Sequence, residues 1–421
     1  MDDVAPRPHP HKRLVVFCDG TWNKEDQKSR DGRPCPTNVL RLFELTRAGD
    51  GDGCVQIVDY VRGVGNRWDE RLTGGGFGLG MSDNIKGAYQ FLVSNYEDGD
   101  EIFLFGFSRG AFTVRSLAGM IYNVGILRRD KLHLLEEAYA HYRSSDPKWH
   151  PGSDLSQAFR QANTHGKETI KFLGVWDTVG ALGAPFGFIL GKLLNLFFPT
   201  QFHDTKISPI ILNAYHACAI DEKRWPFRPT RMELTETRKR EAAEANAAAG
   251  KTRIYNYEEV WFPGVHSDVG GGYPESGLSD CALQWMVRKA VDHGLCVNPF
   301  SSVASRPFDP DPLAPMHDSQ TPWYRITTKL FVYWPRPLLK LVNKSDAPLL
   351  DRVQENGDFI RQLDHSEALG ADMSAFPIKD GFEIDLSACA RERLAGDPAY
   401  KPMNISESAG TRSKAEAQPS S

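Results

Sequence analysis

Short apolar runs alternate with segments of helical period through about the first 300 residues, which predicts an α/β fold with a mostly parallel sheet flanked by helices. The runs are rich in Val, Ile, Leu and Phe, as strands covered on both faces require. The 421 residues, 41% hydrophobic and 25% charged, have the make-up of a globular protein and length enough for one large core with insertions.

Leu14–Cys18 (LVVFC) reads as the first buried strand and Val55–Val61 (VQIVDYV) as the second. A glycine-rich run, 74–80, precedes Ser82 and Asp83, either of which suits a helix N-cap. Ile85, Ala88, Tyr89 and Leu92 then share one helix face. Asp98-Gly99-Asp100 signals a turn into the strand Ile102–Phe105, and a helix follows from Arg109, with Val114, Leu117, Ala118 and Ile121 on one face. Leu135, Ala138, Tyr139 and Tyr142 mark another helix, Ile170–Trp176 (IKFLGVW) a strand, and Val260–Val265 a strand that Pro263 bends or ends.

Two stretches break this rhythm. Residues 180–199 are apolar, yet Lys192, Asn195, Pro185 and several glycines argue against a membrane span, so a lid-like insertion, a buried helix or a membrane-touching loop is expected. Residues 231–253 are charged and Ala-rich with almost no apolar face, which predicts a solvated helical insertion. The expected organisation is a flexible 1–12, a main domain over 13–335, a Pro-rich C-terminal extension over 336–403 packed on it, and a disordered tail, 404–421.

A net charge of −4 leaves no basic footprint for nucleic acid. The seven cysteines follow no CxxC pattern, so free, mostly buried thiols are expected, with one or two disulfides as the alternative. With neither a signal-like start nor a spanning helix, a cytoplasmic location is the expectation.

The strongest chemical signal is Gly106-Phe107-Ser108-Arg109-Gly110, a G-x-S-x-G between a strand and a helix. In a nucleophile elbow the serine sits on a strained turn and the flanking glycines, Gly106 and Gly110, relieve crowding. An acid and then a histidine should follow in chain order. Asp177 ends the strand IKFLGVW, and His266 follows Val260–Val265, so Ser108, Asp177 and His266 form a candidate triad. Asp268 and Asp221 are alternative acids. The backbone N–H of Arg109 and an N–H of Gly20 or Thr21, in the turn after the first strand, are candidate oxyanion donors.

Other readings of these residues exist. Phe17 replaces the first Asp of a D-x-D-G-T phosphatase motif, and no Lys-Ser/Thr follows the run 74–80 as a phosphate loop requires. His203, Asp204, His216, His266 and Asp268 are candidate metal ligands, although no spacing fixes them as a set, and a metal-dependent phosphoesterase would be built around His203, Asp204, His216 and Asp268. The triad chemistry needs neither metal nor cofactor.

Five motifs, CDGTWN (18–23), GDEIFLFGFSRGAFTVRSLAG (99–119), GVWDTVGALG (174–183), HACAIDEKRWPF (216–227) and WFPGVHSDVGGGY (261–273), together resemble one family. It is the α/β-hydrolase domain shared with the phospholipase effectors of type VI secretion systems. The resemblance covers roughly 13–325 and implies Ser108 as nucleophile, Asp177 as acid and His266 as base. It also implies an α/β-hydrolase-like fold, a lipid ester as substrate, and a structural ion-pair role for Asp221, Glu222 and Arg224. The expected activity is therefore ester hydrolysis, with transient membrane contact through 182–198. The alternative is a catalytically silent, hydrolase-like lipid- or partner-binding protein.

Overall fold

The computed structural model describes residues 11–20, 27–29, 31–49, 54–63, 76–166, 168–179, 207–224, 227, 229–234, 236–248, 255–302, 306–319, 375–377 and 383–402. The stretch 180–199, residues 1–10, residues 320–374 and residues 403–421, with the lid, flexible-start and disordered-tail expectations that fall on them, lie outside the described residues.

Among the described residues, six parallel strands make the central sheet: β1 (Arg13–Cys18), β2 (Gln56–Val61), β3 (Glu101–Phe107), β4 (Ile170–Trp176), β5 (Asn213–Ala219) and β6 (Asn256–Phe262). Their order is β2-β1-β3-β4-β5-β6, so the winding reverses between β1 and β3. In open α/β sheets that switch point, at the carboxyl ends of the strands, is where ligands bind.

β1 is buried along its whole length, and its side chains alternate between two cores because successive strand residues face opposite ways. Leu14, Val16 and Cys18 join Ile102 and Leu104 beneath α2 (Gly76–Asn95) and α3 (Arg109–Val124). Val15 and Phe17 join Phe103, Phe105 and Phe172 on the other face, with α1 (Asn38–Leu45). The helices α4 (Leu135–Arg143) and α5 (Asp154–Asn163) lie between β3 and β4 in the chain.

The insertion after β5 contains α6 (Glu236–Ala248), and it is less solvated than its composition predicts. Ala242 is fully buried in the main core, and Asn246 exchanges hydrogen bonds of 2.7 and 2.9 Å with the backbone of Tyr255. Alanine is small enough to let a charged helix dock through one narrow strip.

Beyond β6 come the short α7 (His266–Gly270) and α8 (Gly277–Asp292), the latter on the second core. A small antiparallel pair, β7 (Ala375–Pro377) and β8 (Glu383–Asp385), leads to α9 (Ala388–Gly396). Leu386 bridges to Trp261, and Leu386 and Ala390 cover Cys218, Ile220 and Trp261. The seven cysteines are free thiols, five buried and two half-buried. Among the described residues no helix is long and apolar enough to cross a membrane.

Candidate active site

Among the described residues, two that are not glycine have positive φ: Ser108 at 58° and Asp177 at 37°. Each follows the last residue of a central strand, β3 or β4, and backbone of this kind costs roughly 1–3 kcal/mol unless its surroundings fix it. Ser108 is fixed from both sides. Its N–H donates to the Trp176 carbonyl at 3.0 Å, and its carbonyl accepts the Phe112 N–H at 3.3 Å, closing the first turn of α3.

The two elbow glycines are required by close approach. A Cβ on Gly106 would lie 2.6 Å from the backbone of Gly110 and Ala111. One on Gly110 would lie 2.0 Å from the Cys18 carbonyl oxygen, because α3 starts directly over the end of β1. The Arg109 N–H belongs to the first turn of α3, directly after Ser108.

Asp177 is fully buried. Its N–H donates to Ala217 at 2.7 Å, and its Oδ1 accepts the Ala219 N–H at 2.9 Å, so β5 holds both its backbone and its carboxylate. Its Oδ2 lies 2.6 Å from Nδ1 of His266. That contact places the imidazole proton on Nδ1 and leaves Nε2 as the acceptor.

His266 opens α7 with its ring against two others. The Phe107 centroid is 4.5 Å away, and Phe227 meets it edge-on at 4.9 Å. Since Phe107 precedes Ser108, the imidazole is drawn to the elbow. A Cβ on Gly270 would sit 2.0 Å from the Phe107 ring, so glycine there makes room for this packing. Burial holds the His266 pKa below the usual histidine value, although Asp177 pulls the other way. No hydrogen bond joins Ser108 to His266; without substrate this link is commonly long and tightens on binding.

The alternative acids have other partners. Asp268 accepts from Nδ1 of His317 at 2.6 Å and from the Val265 N–H at 3.0 Å. Asp221 accepts the Gly264 N–H at 2.7 Å and the Tyr400 hydroxyl at 2.9 Å, and burial pushes its carboxyl up to about 6. Neither is on His266.

In the turn after β1, the Gly20 N–H donates to Asp19 Oδ1 at 2.6 Å, so the Asp19 carboxylate occupies that candidate oxyanion donor. Asp19 Oδ2 also accepts from Thr37 and Tyr60 at 2.7 and 2.6 Å. Thr21 lies outside the described residues.

The candidate metal ligands are not brought together as a set. His203 and Asp204 lie outside the described residues, His266 is on Asp177, and Asp268 is on His317. His216, Cys218 and Glu259 do converge, their ligand atoms within 4.8 Å of one another. Both His216 nitrogens are already engaged there. Nδ1 faces Glu259 Oε2 at 2.8 Å, and Nε2 accepts the Thr178 N–H at 3.1 Å. Burial lowers the His216 pKa, which suits a neutral ring in that role. Burial alone would raise Glu259, but Arg231 and His216 outweigh it and bring the carboxyl to about 2. His216, held by Glu259, thus braces the strained turn at Asp177 through the Thr178 N–H.

The family resemblance implies a structural ion pair for Glu222, and the structure gives it more to hold. Its nearly inaccessible carboxylate accepts the His266 N–H at 3.2 Å and the Ser319 hydroxyl at 2.8 Å. Arg224 grips both of its oxygens, Nε at 2.9 Å and Nη2 at 2.8 Å.

The chain resembles several known proteins. It is 29% identical over 248 residues to the uncharacterized protein YEL023C of Saccharomyces cerevisiae, a match covering 53% of this chain and 33% of that one. It is 27% identical over 128 residues to dipeptidyl-peptidase 5 of Porphyromonas gingivalis, covering 28% of this chain and 18% of that one. The chain thus spans a third or less of the length of these curated relatives. Among solved structures, an uncharacterized protein from Pseudomonas aeruginosa aligns at 17% identity with a TM-score of 0.42, over 79% of this chain and 52% of that one. The Tle1 effector bound to the VgrG spike of the type 6 secretion system aligns at 14% identity with a TM-score of 0.44, over 73% of this chain and 78% of that one. The family described as the catalytic domain of the Tle1-like phospholipase effector of the type VI secretion system matches residues 12–289, which include Ser108, Asp177 and His266. With that match running through all six strands of the sheet, the chain belongs to the Tle1-like phospholipase effector catalytic-domain family.

Proposed function

We propose that this domain is a serine hydrolase of carboxylic esters, with phospholipid acyl esters as its substrate class. The observation that carries the reading is the buried Asp177–His266 contact of 2.6 Å, packed through Phe107 against the strained turn at Ser108. Ser108 Oγ attacks the acyl carbon while Nε2 of His266 accepts the hydroxyl proton. Asp177 holds the ring in the Nδ1–H tautomer and stabilises the imidazolium. The Arg109 N–H receives the developing oxyanion, with Thr21 supplying the second donor. Collapse breaks the ester C–O bond and passes the proton from Nε2 to the leaving alkoxide. Water then hydrolyses the acyl-serine by the same route in reverse.

The lipid part of the proposal rests on the family, and the apolar stretch 182–198 is the segment assigned to the lipid surface. Vesicles of phosphatidylcholine and phosphatidylethanolamine, incubated with wild-type protein and with Ser108→Ala, test it by mass spectrometry of the products. Fatty acid and lysophospholipid are expected from wild type alone. Diacylglycerol, phosphatidic acid, or vesicle binding without any product would overturn it.

A further inference from the structure

We infer that Glu222 is a positioning residue for His266, clamping the loop after β5, the start of α7 and the segment at Ser319 into one unit. The inference rests on the serine-hydrolase reading above and goes beyond it, because the triad alone does not explain what holds the base in place.

A carboxylate as inaccessible as Glu222 is costly unless its lone pairs are filled. Among the described residues, the Arg224 backbone and guanidinium, Ser319 and His266 all donate to them. Oε1 accepts the Arg224 N–H at 2.8 Å, Arg224 Nε at 2.9 Å and the Ser319 hydroxyl at 2.8 Å. Oε2 accepts Arg224 Nη2 at 2.8 Å and the His266 N–H at 3.2 Å. The last of these fixes the backbone from which the imidazole projects.

Arg224 completes the clamp from the other side. Its guanidinium lies 3.5 Å from the centroid of Phe227, whose ring meets the His266 imidazole edge-on. Glu222 therefore controls both the main chain of His266 and one wall of its ring pocket. Phe107 forms another wall, and Asp177 takes Nδ1. Asp268, on α7 itself, is turned to His317. Among the described residues, the charged groups acting on the imidazole are Asp177, Arg224 and Glu222. The Glu222 carboxylate favours the protonated ring and Arg224 disfavours it, in keeping with their charges.

Glu222→Gln keeps the size and one acceptor oxygen while removing the charge and half of the guanidinium fork. With a p-nitrophenyl acyl ester, we expect kcat to fall between about ten- and a hundredfold with KM unchanged, as for a misplaced catalytic group. The acid limb of the kcat/KM profile should also move to lower pH, because a negative charge beside His266 is gone; a purely structural role would not move it. Arg224→Lys serves as the second variant, since it keeps both charges of the pair and tests the clamp even if Glu222→Gln fails to fold. It should lower kcat and leave the acid limb in place. Wild-type kcat in either folded variant, or an unmoved limb in Glu222→Gln, overturns the clamp. A wild-type protein that does not turn over the ester at all overturns the serine-hydrolase reading instead, so the two failures are distinguishable.

Discussion

Asp177 Oδ2 lies 2.6 Å from Nδ1 of His266, and both side chains are buried. Replacing the carboxylate with an amide of the same shape puts an N–H where the ring now donates, and forces the opposite tautomer. Asp177→Asn should therefore leave the fold intact and lower kcat by about 10⁴, the size seen when a triad acid is so replaced. Ester turnover and circular dichroism on the same sample check both halves.

The pH profile should carry the mark of burial. Water exclusion lowers the pKa of His266, so the neutral base survives to lower pH than an exposed histidine would allow. The acid limb of kcat/KM is expected to have its midpoint below about 6.5, the unperturbed histidine value. A midpoint above 7 would show that the Asp177 charge dominates instead.

Glycine substitutions should separate a packing requirement from mere tolerance. At Gly110 a methyl would meet the Cys18 carbonyl oxygen at 2.0 Å, with backbone on both sides and little room to yield. Gly110→Ala should cost more than about 3 kcal/mol and remove the activity. Gly87 lies on the exposed face of α2 with open space around it, so Gly87→Ala should gain about 0.5–1 kcal/mol through helix propensity. Denaturant unfolding of the two variants beside wild type reads both signs.

On the second core, the guanidinium of Arg41 meets the carboxylate of Asp280, and neither is accessible. Arg41→Met strands the buried carboxylate and should destabilise by about 3–5 kcal/mol. Adding Asp280→Leu should restore much of that loss, because the uncompensated charge is then gone. Urea midpoints of the single and double variants are the measurement.

Much of the sheet was legible because its strands are apolar on both faces. LVVFC and IKFLGVW announce themselves, and the G-x-S-x-G between strand and helix located Ser108. β5 was missed. Its sequence, NAYHACA, lacks β-branched residues, and it is a strand because β4 and β6 enclose it on both edges. The start of β6 was missed for a related reason. Asn256, Glu258 and Glu259 look like loop residues, yet each is satisfied by a partner far away in the chain, Asn213, Lys289 and His216. Spacing in the sequence does not say which of Asp177, Asp221 and Asp268 faces the His266 imidazole, and the contact belongs to Asp177. Nor could sequence find the Glu222 clamp, whose partners His266 and Ser319 are 44 and 97 positions away.

The central claim is that Ser108 is an activated nucleophile, and a fluorophosphonate probe tests it most directly, because only such a serine reacts. Wild-type protein treated with the probe, digested and mapped by mass spectrometry should carry the adduct on Ser108. Labelling should be abolished in Ser108→Ala and slowed in Asp177→Asn. An unlabelled wild-type protein, or an adduct on any other residue, would contradict the account.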